Sequence, residues 1–195
     1  MTDRGQYTPG PASGARIQKD RGQNGNNEDK WTLILVRELR HSPEKVWKAL
    51  TDPAHLREWA PFEADRSLGT VGTTVKLTTV AAPTPRVTET TVTRADAPEV
   101  LEYKWGDFDM RWQLEAFGGG TRLTLWTNIG HRFIAMGAAG WHICFDVLDR
   151  LLSGIPIGRI VGSKAMKFGW QRLHAEYAKQ FGIETPNWPP KASPE

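Results

Sequence analysis

GWHICFDVLDRLLSG, residues 140–154, decides how the rest of the chain is read. Trp141, Cys144, Phe145, Leu148, Leu151 and Leu152 recur at helical spacing and form one apolar stripe. Gly154 and Pro156 end the helix. A long helix with such a stripe needs a surface to lie on. The sequence before it supplies one. From 62 to 129, short Thr/Val-rich and aromatic runs alternate with turn clusters, which predicts strands near 62–68, 73–80, 86–94, 99–106, 109–117 and 121–129. The turns are Gly69 with Gly72, Pro83 with Pro85, Ala97-Pro98, Gly106-Asp107 and Gly118-Gly119-Gly120. Links this short imply an antiparallel meander. Alternation points Leu101, Tyr103, Trp105, Met110, Trp112, Leu114, Ala116, Leu123, Leu125 and Thr127 inward.

Upstream, WTLILVREL (31–39) reads as a further strand. Ser42-Pro43 then starts a short helix, with Ser as cap and Pro in the first turn. Asp52-Pro53 repeats the device for a second short helix through Leu56 and Trp59, which Pro61 stops. Beyond the long helix, a Gly-containing connection (155–163) leads to a second helix near 164–181. The fold class that follows is α+β. A curved antiparallel sheet of six to seven strands wraps a long C-terminal helix, with two short helices after the first strand. A strongly curved sheet around a helix leaves room for a cavity between them.

Outside this region the composition changes. Residues 1–30 are rich in Gly, Asn, Gln and charge, and they bury too little apolar surface to offset chain entropy. They are expected to form a disordered leader. The domain is expected over 31–182, followed by a Pro-rich tail over 183–195. The whole chain has 195 residues, 39% hydrophobic and 24% charged, and a formal charge of +3 with both signs interspersed. No basic block marks a nucleic-acid surface. No run approaches the roughly 20 apolar residues of a membrane span, and the N-terminus lacks a signal-peptide core. The lone Cys144 excludes an internal disulfide and a Cys-based zinc cluster. A cytoplasmic protein is expected.

SPEKVWKALTDPAHLREW (42–59), the six strands and GWHICFDVLDRLLSG together resemble the SRPBCC superfamily of START-like, helix-grip (Bet v-type) domains. The closer similarity is to the branch named activator of heat-shock protein 90 ATPase homologue. It rests on the first strand, the x-Pro-Glu-x-Val-Trp helix and the Gly-Trp heading the long helix, and it covers about residues 31–182. The resemblance implies a hydrophobic pocket between sheet and long helix that holds a lipid, polyketide or similar apolar molecule for sequestration, transport or sensing. It also implies two alternatives, a cyclase- or hydrolase-type enzyme and a chaperone-interacting module. Co-chaperones of this type carry an additional N-terminal domain, which a leader of this composition does not supply.

The pocket candidates are Trp59, Phe62, Tyr103, Trp105, Met110, Trp112, Leu125, His131, Trp141 and Phe145. Nine Trp is a high count, and aromatic side chains both fill cores and line apolar pockets. Trp59 is expected at the pocket mouth, Trp105 and Trp112 in its wall, and Trp126 on the outer face of the sheet. Chemistry would need a polar group aimed inward, from His131, His142, Arg37 or Asp109. His131 and His142 otherwise read as surface or capping residues. Cys144 reads as a small buried hydrophobe, because His142 points to another helix face. The five His residues lack mutual i, i+4 spacing and HExxH is absent, so no metal is expected. Asp107 and Asp109 in GDFD read as turn chemistry. GRIVGSK (158–164) fails the phosphate-loop spacing, and no GxSxG occurs, so no cofactor is expected.

Overall fold

Two Pro-led caps steer the chain after its first long strand. The Ser42 side chain accepts from Lys45 N and starts α1 (Pro43–Thr51); Asp52 then accepts from Ala54 N and His55 N and starts α2 (Pro53–Trp59). Asp52 also ends α1, its own N–H reaching Lys48 O, so one residue turns the chain between the two helices. The computed structural model describes residues 7–20, 30–82 and 84–184. Its strands are β1 (Ala15–Asp20), β2 (Lys30–Leu39), β3 (Phe62–Ala64), β4 (Thr74–Thr79), β5 (Arg86–Thr91), β6 (Arg94–Asp96), β7 (Val100–Trp105), β8 (Phe108–Phe117) and β9 (Gly120–Asn128). The long helix α3 (Ile134–Leu152) and α4 (Trp170–Phe181) follow. No described helix is long and apolar enough to cross a membrane.

All pairings are antiparallel. One sheet runs β1-β2-β9-β8-β7-β6, and a second runs β3-β4-β5. The helix-grip, START-like order is as the sequence predicts, with α3 lying against the six-stranded sheet. The meander, however, divides into two ladders at a corner the sequence does not reveal. The run 86–94 reads as one strand, yet it breaks at Val92-Thr93. Val92 N donates to Thr73 O at 3.0 Å, back toward β4; Thr93 N donates to Glu102 O at 2.9 Å, forward to β7. Adjacent residues thus bond to different sheets, and Val92 is fully buried in the corner. Two side-chain bonds brace it: Trp105 Nε1 to Thr79 Oγ1 at 2.8 Å and Lys104 N to Thr90 Oγ1 at 3.0 Å.

The inward residues follow the alternation with one exception. Leu101, Tyr103, Met110, Trp112, Leu114, Leu123, Leu125 and Thr127 are buried and Trp105 is partly buried, but Ala116 is exposed at the rim near the β8–β9 turn. The expected leader also needs correction over its described part. Residues 15–20 are β1, paired with β2 from Ala15–Leu35 to Asp20–Lys30. Ahead of β1, Tyr7 is buried. The mean composition of 1–30 hides the short alternation in ARIQKD, and β2 offers it an edge to pair with. Residues 1–6, 21–29 and the tail from 185 lie outside the described residues.

The helix expected over 164–181 is two pieces. A 3₁₀ stretch, Gly162–Phe168, ends at Gly169, whose φ of 82° is left-handed, and α4 starts after it. A Cβ at Gly169 would also lie 3.3 Å from Pro9 Cγ, so the N-terminal arm seats against this break. Together α4 and the arm cover the side of α3 turned away from the sheet. For that reason α3 is buried well beyond its stripe, at Ile143, Val147 and His142 as well.

Replacing Asp52 with Ala removes the shared cap and should cost about 1 kcal/mol of stability. A urea-unfolding midpoint unchanged from wild type would contradict this role for Asp52.

Candidate functional site

The inner faces of β7, β8 and β9, the ends of α2 and β3 and the middle of α3 converge on one aromatic cluster. Trp141 on α3 is its hub. Its ring lies 5.6 Å from Trp112, 6.1 Å from Trp105, 6.1 Å from Phe145 and 6.5 Å from Trp59, between centroids. Trp59 meets Trp112 edge-on at 6.1 Å and 84°. Phe62 lies 5.1 Å from Trp105 and 6.3 Å from Tyr103. Tilted and edge-to-face pairs at these spacings are the favourable geometry for aromatic quadrupoles.

Three of the four indoles are tied to protein acceptors. Trp59 Nε1 donates to Ala49 O at 3.0 Å, Trp112 Nε1 to the Tyr103 hydroxyl at 3.2 Å, and Trp105 Nε1 to Thr79 Oγ1 at 2.8 Å. Trp141 differs. Its indole N–H has no acceptor among the described residues, and the residue keeps 7% exposure. Around it, burial falls off toward one end. Trp59, Phe62, Trp112 and Phe145 are fully buried, Trp105 is partly buried, and Phe108, 5.7 Å from Trp105, is 39% exposed. The cluster therefore reaches the surface along Trp105 and Phe108.

Most sequence candidates gather here. Leu125 is paired with Trp112 across β8–β9, and Met110 with Tyr103 across β7–β8; both are buried. Burial also raises the Tyr103 hydroxyl's pKa, so it stays protonated. Two positions differ from expectation. Trp59 is wholly enclosed, and it is Trp105 and Phe108 that approach the surface. His131 does not join the cluster. The 3₁₀ turn His131–Phe133 leaves its ring exposed, 4.6 Å from Trp31. Trp126 stands on the outer face, under the Arg111 guanidinium at 5.3 Å.

The polar groups that catalysis would enlist are committed elsewhere. Asp109 is exposed and paired with Lys104. His142 is buried on the opposite side of α3, within a network that joins both ends of the chain. Its Nδ1 lies 2.8 Å from the Tyr177 hydroxyl and its Nε2 3.6 Å from Asp146. Asp146 also pairs with Arg37 at 2.8 Å and accepts from the Tyr7 hydroxyl at 2.8 Å. Tyr177 bonds the arm at Ser13. The i, i+4 spacing of His142 and Asp146 is visible in the sequence, but their partners Tyr7 and Tyr177 are remote and carry no local signal. Cys144 is buried, and burial pushes its thiol up to about 12, which removes it as a nucleophile at neutral pH. Among the described residues no three His, Cys, Asp or Glu side chains come together as metal ligands.

The family model described as activator of Hsp90 ATPase homolog 1-like protein matches residues 40–153. The chain belongs to that family. The matched stretch contains the whole aromatic cluster, whereas Tyr7 and Tyr177 lie outside it. Among solved structures, protein MLL2253 from Mesorhizobium loti is similar at 25% identity, with a TM-score of 0.54 over 63% of this chain and 97% of that one. CalU16 from Micromonospora echinospora is similar in fold at 17% identity, with a TM-score of 0.59 over 85% of this chain and 95% of that one. The AHSA1-like protein from Aeromonas hydrophila matches at 21% identity, with a TM-score of 0.50 over 62% and 92% of the two chains. No curated protein sequence matches the chain.

Burial, the largest influence, lowers the His142 pKa from 6.5; Asp146 and Glu176 oppose that shift, while Arg37 and Arg172 add to it. The folded protein therefore binds fewer protons here than the unfolded chain does. Its stability should fall as pH drops below about 6.5. Thermal unfolding of wild type and His142→Gln across pH 7.5 to 5 checks this: the wild-type slope should be the steeper one. A steeper slope in the variant would contradict it.

Proposed function

We propose that this family member binds a small, mostly apolar molecule with a flat face among Trp59, Trp105, Trp112, Trp141 and Phe145. Its role is then sequestration, transport or sensing of that molecule. The observation that carries the reading is the gradient of burial within one aromatic cluster, from enclosed Trp112 to surface Phe108. A flat ligand substitutes its own face for ring-to-ring contacts, so entry exchanges one set of favourable contacts for another. Trp105 is the natural gate. It sits between the mouth and Trp141 and is held by one side-chain hydrogen bond to Thr79, a bond with a net contribution of about 1 kcal/mol. The indole N–H of Trp141 then offers a donor to a polar atom on the ligand.

Native mass spectrometry of freshly purified protein should reveal a co-purified small molecule. Titration with flat lipophilic compounds should quench the tryptophan emission saturably. Trp105→Ala should weaken that binding by about tenfold, the loss expected when an aromatic contact of roughly 1.4 kcal/mol disappears. Trp126→Ala should leave it unchanged. Absence of both a bound molecule and any saturable quenching would overturn the proposal.

A further inference from the structure

A surface depression lies outside the aromatic cluster. It is a groove of about 600 Å³ between the end of α2, the residues after β4 and the 158–164 connection, a volume within the usual range for small-molecule sites. Its third wall comes from residues beyond the family-matched stretch. That wall is pressed tightly into place: at Gly162, with φ of 58°, any Cβ would lie 2.4 Å from Ala81 O.

The groove carries three cations, Arg57, Arg159 and Lys164, and one carboxylate, Glu58. A second carboxylate, Glu63, accepts from Arg159 Nη2 at 2.7 Å and lies 3.7 Å from Arg57 Nε. Two guanidinium groups therefore share one carboxylate. Lys164 has no carboxylate within 4.0 Å among the described residues. Arg159 Nη1 is buried with no hydrogen-bond acceptor among the described residues. A buried charged donor without an acceptor is costly, and a guanidinium presents its donors as a fork suited to two oxygens. Solvated surface cations account for Arg57 and Lys164 taken singly. They do not account for Arg159, which lines the same groove with its side chain only 20% exposed and keeps one buried guanidinium nitrogen without an acceptor.

We propose that this groove binds the oxyanion of a small organic molecule, a carboxylate or a phosphate. Arg159 and Arg57 hold the oxygens and Lys164 supplies the further charge. The site uses none of the cluster's aromatic residues, so it stands whether or not that cluster admits a ligand.

The test is a nuclear magnetic resonance titration of the ¹⁵N-labelled full chain at low salt with inorganic phosphate, hexanoate and hexanol. Either anion, or both, should shift the Gly158, Gly162, Ser163 and Lys164 amides saturably, and hexanol should not. The anion that binds more tightly identifies the head group. Arg57→Gln and Lys164→Gln, both at exposed positions, should each weaken binding by about tenfold, as for loss of a charge-assisted contact. Added salt should weaken it too. Failure of both anions to shift these amides would overturn the proposal. So would equal shifts with hexanol, or unchanged affinity in both variants.

Discussion

The rest of the structure depends on the burial of α3 on nearly every side. Ile134, Ala135, Ala138 and Ala139 in its first half are buried, as are Trp141, Ile143, Cys144, Phe145, Val147, Leu148 and Leu152 in its second. A helix apolar around most of its circumference cannot lie on a surface; it must be wrapped. One sheet covers one side. The other side needs α4 and the N-terminal arm, which explains why segments flanking the family-matched region pack onto the domain. The polar residues that α3 carries on this second side, His142 and Asp146, are consequently enclosed and need partners. Arg37, Tyr177 and Tyr7 supply them.

The two sides of α3 therefore have different chemistry. Toward the sheet the contacts are aromatic, with single indole hydrogen bonds at Trp59, Trp105 and Trp112. Toward the arm, hydrogen bonds run from Tyr7 to Asp146 and from Tyr177 to both Ser13 and His142, with Asp146 3.6 Å from His142. The first side suits an adaptable apolar site, because rings can exchange one flat neighbour for another. The second is a fixed clasp, since breaking any member leaves another polar group buried without a partner.

The sequence displays the features that are local. Ser42-Pro43 and Asp52-Pro53 announce their helices because capping needs only neighbours in the chain. The alternation of Leu101, Tyr103, Met110, Trp112, Leu123 and Leu125 announces their shared face, and so most of the aromatic cluster. What it hides depends on distant partners. Val92 and Thr93 sit inside a continuous Thr/Val run, and only the positions of Thr73 and Glu102 make them a corner. The strand Ala15–Asp20 is weak alone and exists because β2 has an open edge. His131 lies next to α3 in sequence, but nearness in sequence does not choose a side, and the turn carries it out to Trp31. The basic groove is equally invisible, since Arg57 and Arg159 meet only when the connection after α3 folds back onto β4.

The central claim is that the cluster under α3 is a binding site and not merely filled core. Its most direct test is ¹⁹F spectroscopy of the full chain carrying 5-fluorotryptophan, titrated with a flat apolar ligand found by native mass spectrometry or fluorescence. Trp126 on the outer face is an internal reference. The account predicts saturable shifts for Trp105 and Trp141, smaller shifts for Trp59 and Trp112, and none for Trp126. Shifts confined to Trp126 and Trp31, with the cluster resonances unmoved at saturation, would contradict it.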